Sequence, residues 1–212
     1  MIAVGIGFLL GYLLKEWSIG FVFLLVSVFL WFYSCVYKKH FVVGNFFIGF
    51  LFALIPMCVG LFETSLLRDF VILDNLGGCG TFIMIYYVIA CFAWFTFLNT
   101  VIHEVDKDMF TVDGDKANGI RTIPVSMGMK SARQFLTVLT LLALISLLVI
   151  CCAAFIGEWY VLIYSVVLIA IPYIAYIWIV NCNMNRRLHQ FVIKFILLTT
   201  LGVSVFLPYI FK

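Results

Sequence analysis

The chain has 212 residues, of which 66% are hydrophobic and 11% charged, with a mean hydropathy of +1.21. That composition excludes a soluble domain and leaves an all-α polytopic membrane protein: one helical domain over 1–212 whose solvent is the lipid bilayer. The net charge of +3 says little until its distribution is read, and no nucleic-acid partner is expected from it.

Apolar runs of about 20 residues, enough to cross roughly 30 Å of hydrocarbon as a helix, recur along the chain. The first, 1–14, is short, and its Gly7-x-x-x-Gly11 pair permits close helix contact. No basic leader or small-residue cleavage site precedes it, so no signal peptide is expected. Lys15-Glu16-Trp17 makes a polar turn with an aromatic interface anchor. Spans over 18–37 and 41–62 follow, separated by the basic loop Tyr37-Lys38-Lys39-His40. Residues 63–80, with Glu63, Arg68, Asp69, Asp74 and Gly77-Gly78, read as a long loop, and a span over 81–102 leads out of it. Three more spans, 132–156, 160–181 and 191–211, make about seven; Gly157-Glu158-Trp159 turns the chain between the first two. Asn181 to His189 reads as a polar loop holding Arg186-Arg187. Pro56, Pro172 and Pro208 mark places where helices can break.

Counting basic residues in alternate loops puts Lys38, Lys39, Lys107, Lys116, Arg121, Lys130, Arg133, Arg186, Arg187 and Lys194 on one side, 10 of the 13 in the chain. The positive-inside rule makes that side cytoplasmic and places the C-terminus outside. The seven cysteines are scattered through apolar runs without a CxxC pair, and the three histidines form no zinc-type array.

Between the spans ending at 102 and starting at 132 lies the stretch His103 to Gly128, HEVDKDMFTVDGDKANGIRTIPVSMG. It holds five of the chain's 10 acidic residues: Glu104, Asp106, Asp108, Asp113 and Asp115. Carboxylates are expensive beside a bilayer and call for a cationic partner. A helix running on to Asp115 puts Glu104, Asp108, Thr111 and Asp115 on one face and turns Asp106 and Asp113 away. With Lys107, Lys116 and Arg121 nearby, that stripe suits Mg²⁺ carrying phosphate oxygens, the basic side chains holding the remaining charge. Asn99, one turn before His103, is a polar residue that helps order the site or bonds between helices. A solvated acidic loop is the bland alternative.

Lys107-Asp108, Gly114-Asp115-Lys116 and Gly119-Ile120-Arg121-Thr122-Ile123-Pro124-Val125, closed by Gly128, together resemble the second aspartate-rich motif of the UbiA superfamily of intramembrane prenyltransferases. Thr111 stands where many members carry another Asp, and some branches are similar in having a hydroxyl residue there. The Tyr33-Ser34, Lys38-Lys39 and Gly44-Asn45 sequence is similar to the family's stretch between neighbouring helices, which implies that Lys38 or Lys39 reaches a diphosphate; the alternative for each lysine is a positive-inside anchor. The resemblance implies Mg²⁺-dependent transfer of a polyprenyl group from a polyprenyl diphosphate donor to a hydrophobic acceptor in the membrane, aromatic or of the glycerol-phosphate type. Asp108 and Asp115 are then the catalytic metal ligands, Glu104 and Thr111 further ligands, and Lys38, Lys39, Lys107, Lys116 and Arg121 the diphosphate-binding cations.

Family members have nine spanning helices and a first motif, Asn-x-x-x-Asp-x-x-x-Asp, at the end of the second. None of Asn45, Asn75, Asn99, Asn118, Asn181, Asn183 or Asn185 begins such a pattern. Aligned on the second motif, the seven runs become helices three to nine, so the sequence reads as a truncated or degenerate member, with weak or no turnover expected of this chain alone. The alternatives are a non-catalytic membrane partner and an ion or solute transporter; intramembrane acids also mark ion routes. Removing Asp108 and Asp115 separates them: a transferase loses donor binding, a scaffold nothing, a transporter its flux.

Overall fold

The computed structural model describes residues 2–13, 15–35, 43–73, 78–154, 159–182 and 185–202, and the architecture is all helix, with no strand among the described residues. The chain divides into two compact units, Met1–Phe97 and Leu98–Lys212.

In the first unit α1 (Ile2–Leu13) and α2 (Trp17–Cys35) form a tight pair. Gly7 and Gly11 are the buried residues of α1, as their spacing anticipates. A Cβ at Gly7 would lie 2.6 Å from Phe23 Cβ, and one at Gly11 3.0 Å from the Glu16 carbonyl oxygen. The turn closes by two bonds, Glu16 N–H to Gly11 O (2.9 Å) and Lys15 N–H to Tyr12 O (3.3 Å), with Lys15 at φ 54. This is the Schellman arrangement, in which glycine is the usual left-handed residue and a lysine is strained.

Helix α3 (Val43–Leu73) passes through Pro56 without ending, and α4 starts at Gly78. Residues 63–73 are therefore helical where a loop was expected. Their polar residues are spaced through Leu, Phe and Ile with no Gly or Pro, so nothing in the backbone stops the helix. Asp74 and Gly77 lie outside the described residues.

The second unit holds the end of α4 (Gly78–Met109), then α5 (Val112–Ala117), α6 (Ile123–Met127) and α7 (Met129–Ala154). A long helical stretch follows as α8 (Trp159–Tyr164), a π-helical segment Ser165–Ala170, and α9 (Ile171–Cys182). The wider π turn sits directly before Pro172, whose ring clashes with the carbonyl four residues back in an ordinary α-helix. Pro172 thus widens this helix where a break was anticipated.

The last helix, α10 (Arg186–Gly202), begins earlier than the expected span at 191. Asn185 caps it: its Oδ1 accepts the Arg187 N–H at 3.1 Å, and its carbonyl accepts the Leu188 and His189 N–H groups. The expected polar loop from Asn181 to His189 is thereby shortened, and His189 falls in the first turn of a helix.

Among the described residues four helical stretches are long and apolar enough to cross a bilayer: Val43–Gly60, Ile85–Met109, Met129–Ala153 and Trp159–Cys182. The apolar helices Ile2–Leu13 and Trp17–Tyr33 are shorter. The expected last span, 191–211, lies partly outside the described residues. On α7 the buried set Ala132, Leu136, Leu139, Thr140, Ala143, Leu147 and Cys151 repeats every three or four residues. Val138, Leu141, Leu142, Ile145, Leu148 and Val149 occupy the other face, apolar and exposed. A helix apolar on both its packed and its open face is suited to lipid rather than water.

Candidate functional site

The acidic stretch begins in the last turns of α4. Its helical bonds tighten at the end, with Phe110 N–H on Lys107 O (3.0 Å) and Thr111 N–H on Asp108 O (3.3 Å), and α4 stops at Met109. Thr111 has φ −115 and ψ 10, outside helical geometry, and α5 restarts from it with Asp115 N–H on Thr111 O at 2.9 Å. The continuous helix to Asp115 is thus corrected: Glu104 and Asp108 ride on α4, Thr111 and Asp115 on the break and on α5. A β-branched threonine with Asp and Gly following favours that interruption over an unbroken helix.

Thr111 Oγ1 donates to Asp115 Oδ2 at 2.9 Å across the break, so the hydroxyl orients this carboxylate. Asp108 is buried, 8% exposed. Glu104 is taken up by other partners: Lys107 Nζ lies 2.6 Å from Oε2 and His103 Nδ1 3.6 Å from Oε1. Two residues expected to meet ligand, Glu104 and Lys107, therefore meet each other. Asp113 and Lys116 are exposed on α5, and Arg121 is exposed beyond it. Lys38 and Lys39 lie outside the described residues.

After α5 the chain turns on glycines. Ile120 N–H reaches Asp115 O (2.9 Å) and Gly119 N–H reaches Lys116 O (3.2 Å), a Schellman closure with Gly119 at φ 67. Gly128, between α6 and α7, has φ 86 and ψ 162, a region that only glycine occupies readily. Pro124 starts α6 from an extended Thr122, whose Oγ1 is buried without a hydrogen-bond partner.

The side chain turned away from the acidic stripe proves to be the best anchored. Asp106 is 2% exposed, and its Oδ1 accepts the Tyr176 hydroxyl at 2.9 Å and lies 2.6 Å from His189 Nδ1. His189 is fully buried, with Phe110 and Tyr176 presenting edges at centroid distances of 5.2 and 5.9 Å. Two turns earlier on α4, Asn99 Oδ1 accepts the Tyr173 hydroxyl at 2.6 Å. Asn99 and Asp106 are seven residues apart and share a face of α4; Tyr173 and Tyr176 are three apart on α9. These bonds fix how α4 is rotated, and hence the side on which Asp108, two residues along, is offered. Asn99 is accordingly an interhelical bond, one of its two expected roles. His189, Tyr173 and Tyr176 were not singled out from the sequence.

The family model of the UbiA prenyltransferase family matches residues 1–199. The chain belongs to this family. No curated protein and no solved structure gives a significant match. UbiA membership implies a membrane prenyltransferase in general terms, and with the apolar helices it makes the chain an integral membrane protein. UbiA proteins generally use Mg²⁺ held by Asp-rich motifs.

Among the described residues no three His, Cys, Asp or Glu side chains gather into a metal cage. Mg²⁺, however, is commonly held by one or two carboxylates, with water and substrate phosphate oxygens completing its octahedron. Asp108 and Asp115, the second oriented by Thr111, carry hard oxygen donors of the type such an open site uses.

Proposed function

We propose that this UbiA protein transfers a polyprenyl group from a polyprenyl diphosphate to a hydrophobic acceptor within the membrane, using the α4–α5 junction at the cytoplasmic face as its diphosphate site. The observation that carries the reading is a buried Asp108 at the end of an apolar span, followed across the helix break by an Asp115 that Thr111 orients, inside the stretch that resembles the family's second acidic motif.

Asp108 and Asp115 would hold Mg²⁺, with Thr111 keeping the Asp115 carboxylate in position and Glu104 as a further carboxylate once Lys107 leaves it. When bound, the metal neutralises diphosphate charge and so assists its departure as a leaving group. Lys116 and Arg121 take up remaining phosphate charge, and Lys107 joins them by exchanging Glu104 for phosphate. Thr122 Oγ1, buried without a partner, is one more hydrogen-bonding group in the chain segment carrying Arg121. The Asp106–His189–Tyr176 cluster positions α4 and stays out of the chemistry. The isoprenoid tail is accommodated by apolar helix surface continuous with the bilayer.

The test is transfer of a radiolabelled prenyl group by the purified protein in nanodiscs. Donor is a polyprenyl diphosphate, and aromatic and glycerol-phosphate acceptors are supplied in parallel. Magnesium-dependent product that falls by about 100-fold or more in Asp108→Asn and Asp115→Asn supports the proposal, since each variant removes a charged contact to the leaving group. Product formation unchanged by both substitutions would contradict it.

A further inference from the structure

A second polar site lies in the same unit, where α7 begins and α9 ends. Met129, Lys130, Arg133, Gln134 and Asn181 line a cavity of about 350 Å³. Lys130 and Arg133 are three residues apart and share a face of α7. Among the described residues neither pairs with a carboxylate. Arg133 Nε is buried and donates to nothing. Asn181 is differently placed: its Nδ2 already donates to Thr137 Oγ1 (3.2 Å) and to Ile177 O (2.8 Å), so the amide is held as a wall.

A buried guanidinium N–H without an acceptor is costly, and native proteins rarely leave one. Here the residue that carries the unmet donor lines a cavity whose lining includes a second cation and no acid. The chemistry that completes it is an oxyanion with several acceptor oxygens. Guanidinium matches phosphate in a bidentate fork, with lysine adding a point charge. The site's depth narrows the class further. It stands at the ends of two candidate spans, Met129–Ala153 and Trp159–Cys182, the level of a lipid headgroup, and basic pockets between membrane helices at that level bind anionic headgroups.

We propose that the cavity between the ends of α7 and α9 binds a phosphate group, with Arg133 as its anchor and Lys130 and Gln134 as further donors. Its residues are distinct from the acidic stretch, and the proposal holds whether or not the prenyl-transfer reading does. The phosphate can belong to an anionic lipid headgroup or be a soluble phosphate, and the two sources share the same recognition.

The experiment titrates the full chain in maltoside detergent with phosphatidylglycerol, with inorganic phosphate, or with sodium chloride at matched ionic strength, reading the thermal unfolding midpoint. A saturable rise with phosphatidylglycerol alone identifies a lipid headgroup; a rise with inorganic phosphate as well identifies a phosphate site open to soluble ligand. Either should weaken by about tenfold or more in apparent affinity for Arg133→Gln and for Lys130→Gln, the worth of one charge-assisted hydrogen bond. Arg133→Lys keeps the charge and loses the fork, so it should also weaken binding, and it serves if Arg133→Gln does not fold. No response beyond chloride, or an equal response in wild type and all variants, overturns the proposal.

Discussion

Replacing His189 with alanine should be among the most damaging single changes in the second unit, and the size of the effect follows from burial. His189 is 0% exposed and Asp106 is 2% exposed, joined at 2.6 Å, so removing the ring strands a carboxylate where water does not reach it. Emptying a fully buried ring site and leaving a buried carboxyl without its partner costs about 3–5 kcal/mol. At about 2–4 °C per kcal/mol for a chain of this size, the unfolding midpoint should drop by about 6–20 °C. A thiol-reactive dye suits the assay, because Cys151 is a free cysteine only 6% exposed on α7 and becomes reactive as the helices part. Asp106→Ala should cost a similar amount, and the double variant clearly less than the sum, since the second change removes a group already stranded. Tyr176→Phe removes only one hydrogen bond to the same carboxylate and should cost about 1.5–3 kcal/mol. A midpoint for His189→Ala within about 0.5 kcal/mol of wild type, the size of an ordinary surface change, would refute the reasoning.

Other outcomes follow from backbone and packing. Gly128→Ala should destabilise by about 1–3 kcal/mol, because alanine resists φ 86 with ψ 162, and thermal unfolding reads it directly. Lys15→Gly should stabilise the α1–α2 turn by about 1 kcal/mol by relieving φ 54; a lowered midpoint would contradict the left-handed assignment. Gly7→Leu should separate α1 from α2, since even a Cβ there comes within 2.6 Å of Phe23 Cβ, and proteolysis at the hairpin should accelerate. Thr111→Val should raise the Mg²⁺ concentration needed for half-maximal donor binding by about tenfold while leaving the folded state intact, because it frees the Asp115 carboxylate to turn.

What the sequence made legible is what it encodes locally. The acidic stretch, its glycines and Pro124 sit within 26 residues, and each acts through its own backbone or a near neighbour, so wording alone led to the right family. Asp106 was legible only in part: helical spacing turned it away from Asp108, and a carboxylate so placed beside a bilayer required a partner, but that partner stands 83 residues on. His189 next to Arg186-Arg187 reads as part of a basic loop. A signal was nonetheless present, since His189, Ile193 and Ile196 repeat at helical spacing and are all buried. The α4 break was hidden for the opposite reason: Phe110 and Thr111 carry no Gly or Pro, and the stripe of acids looked continuous because α5 restarts after only two residues. Residues 63–73 were misjudged by charge, which marks loops less reliably than glycine and proline do.

The central claim is that Asp108 and Asp115 together hold metal-bound diphosphate, and calorimetric titration of the nanodisc-embedded protein with a polyprenyl diphosphate, with and without Mg²⁺, tests it most directly. The account predicts binding that requires Mg²⁺ in the wild type and is weakened by about tenfold or more in Asp108→Asn and in Asp115→Asn, with an Asp113→Asn control unaffected. Binding that is indifferent to Mg²⁺, or equally tight in all three variants, would contradict it.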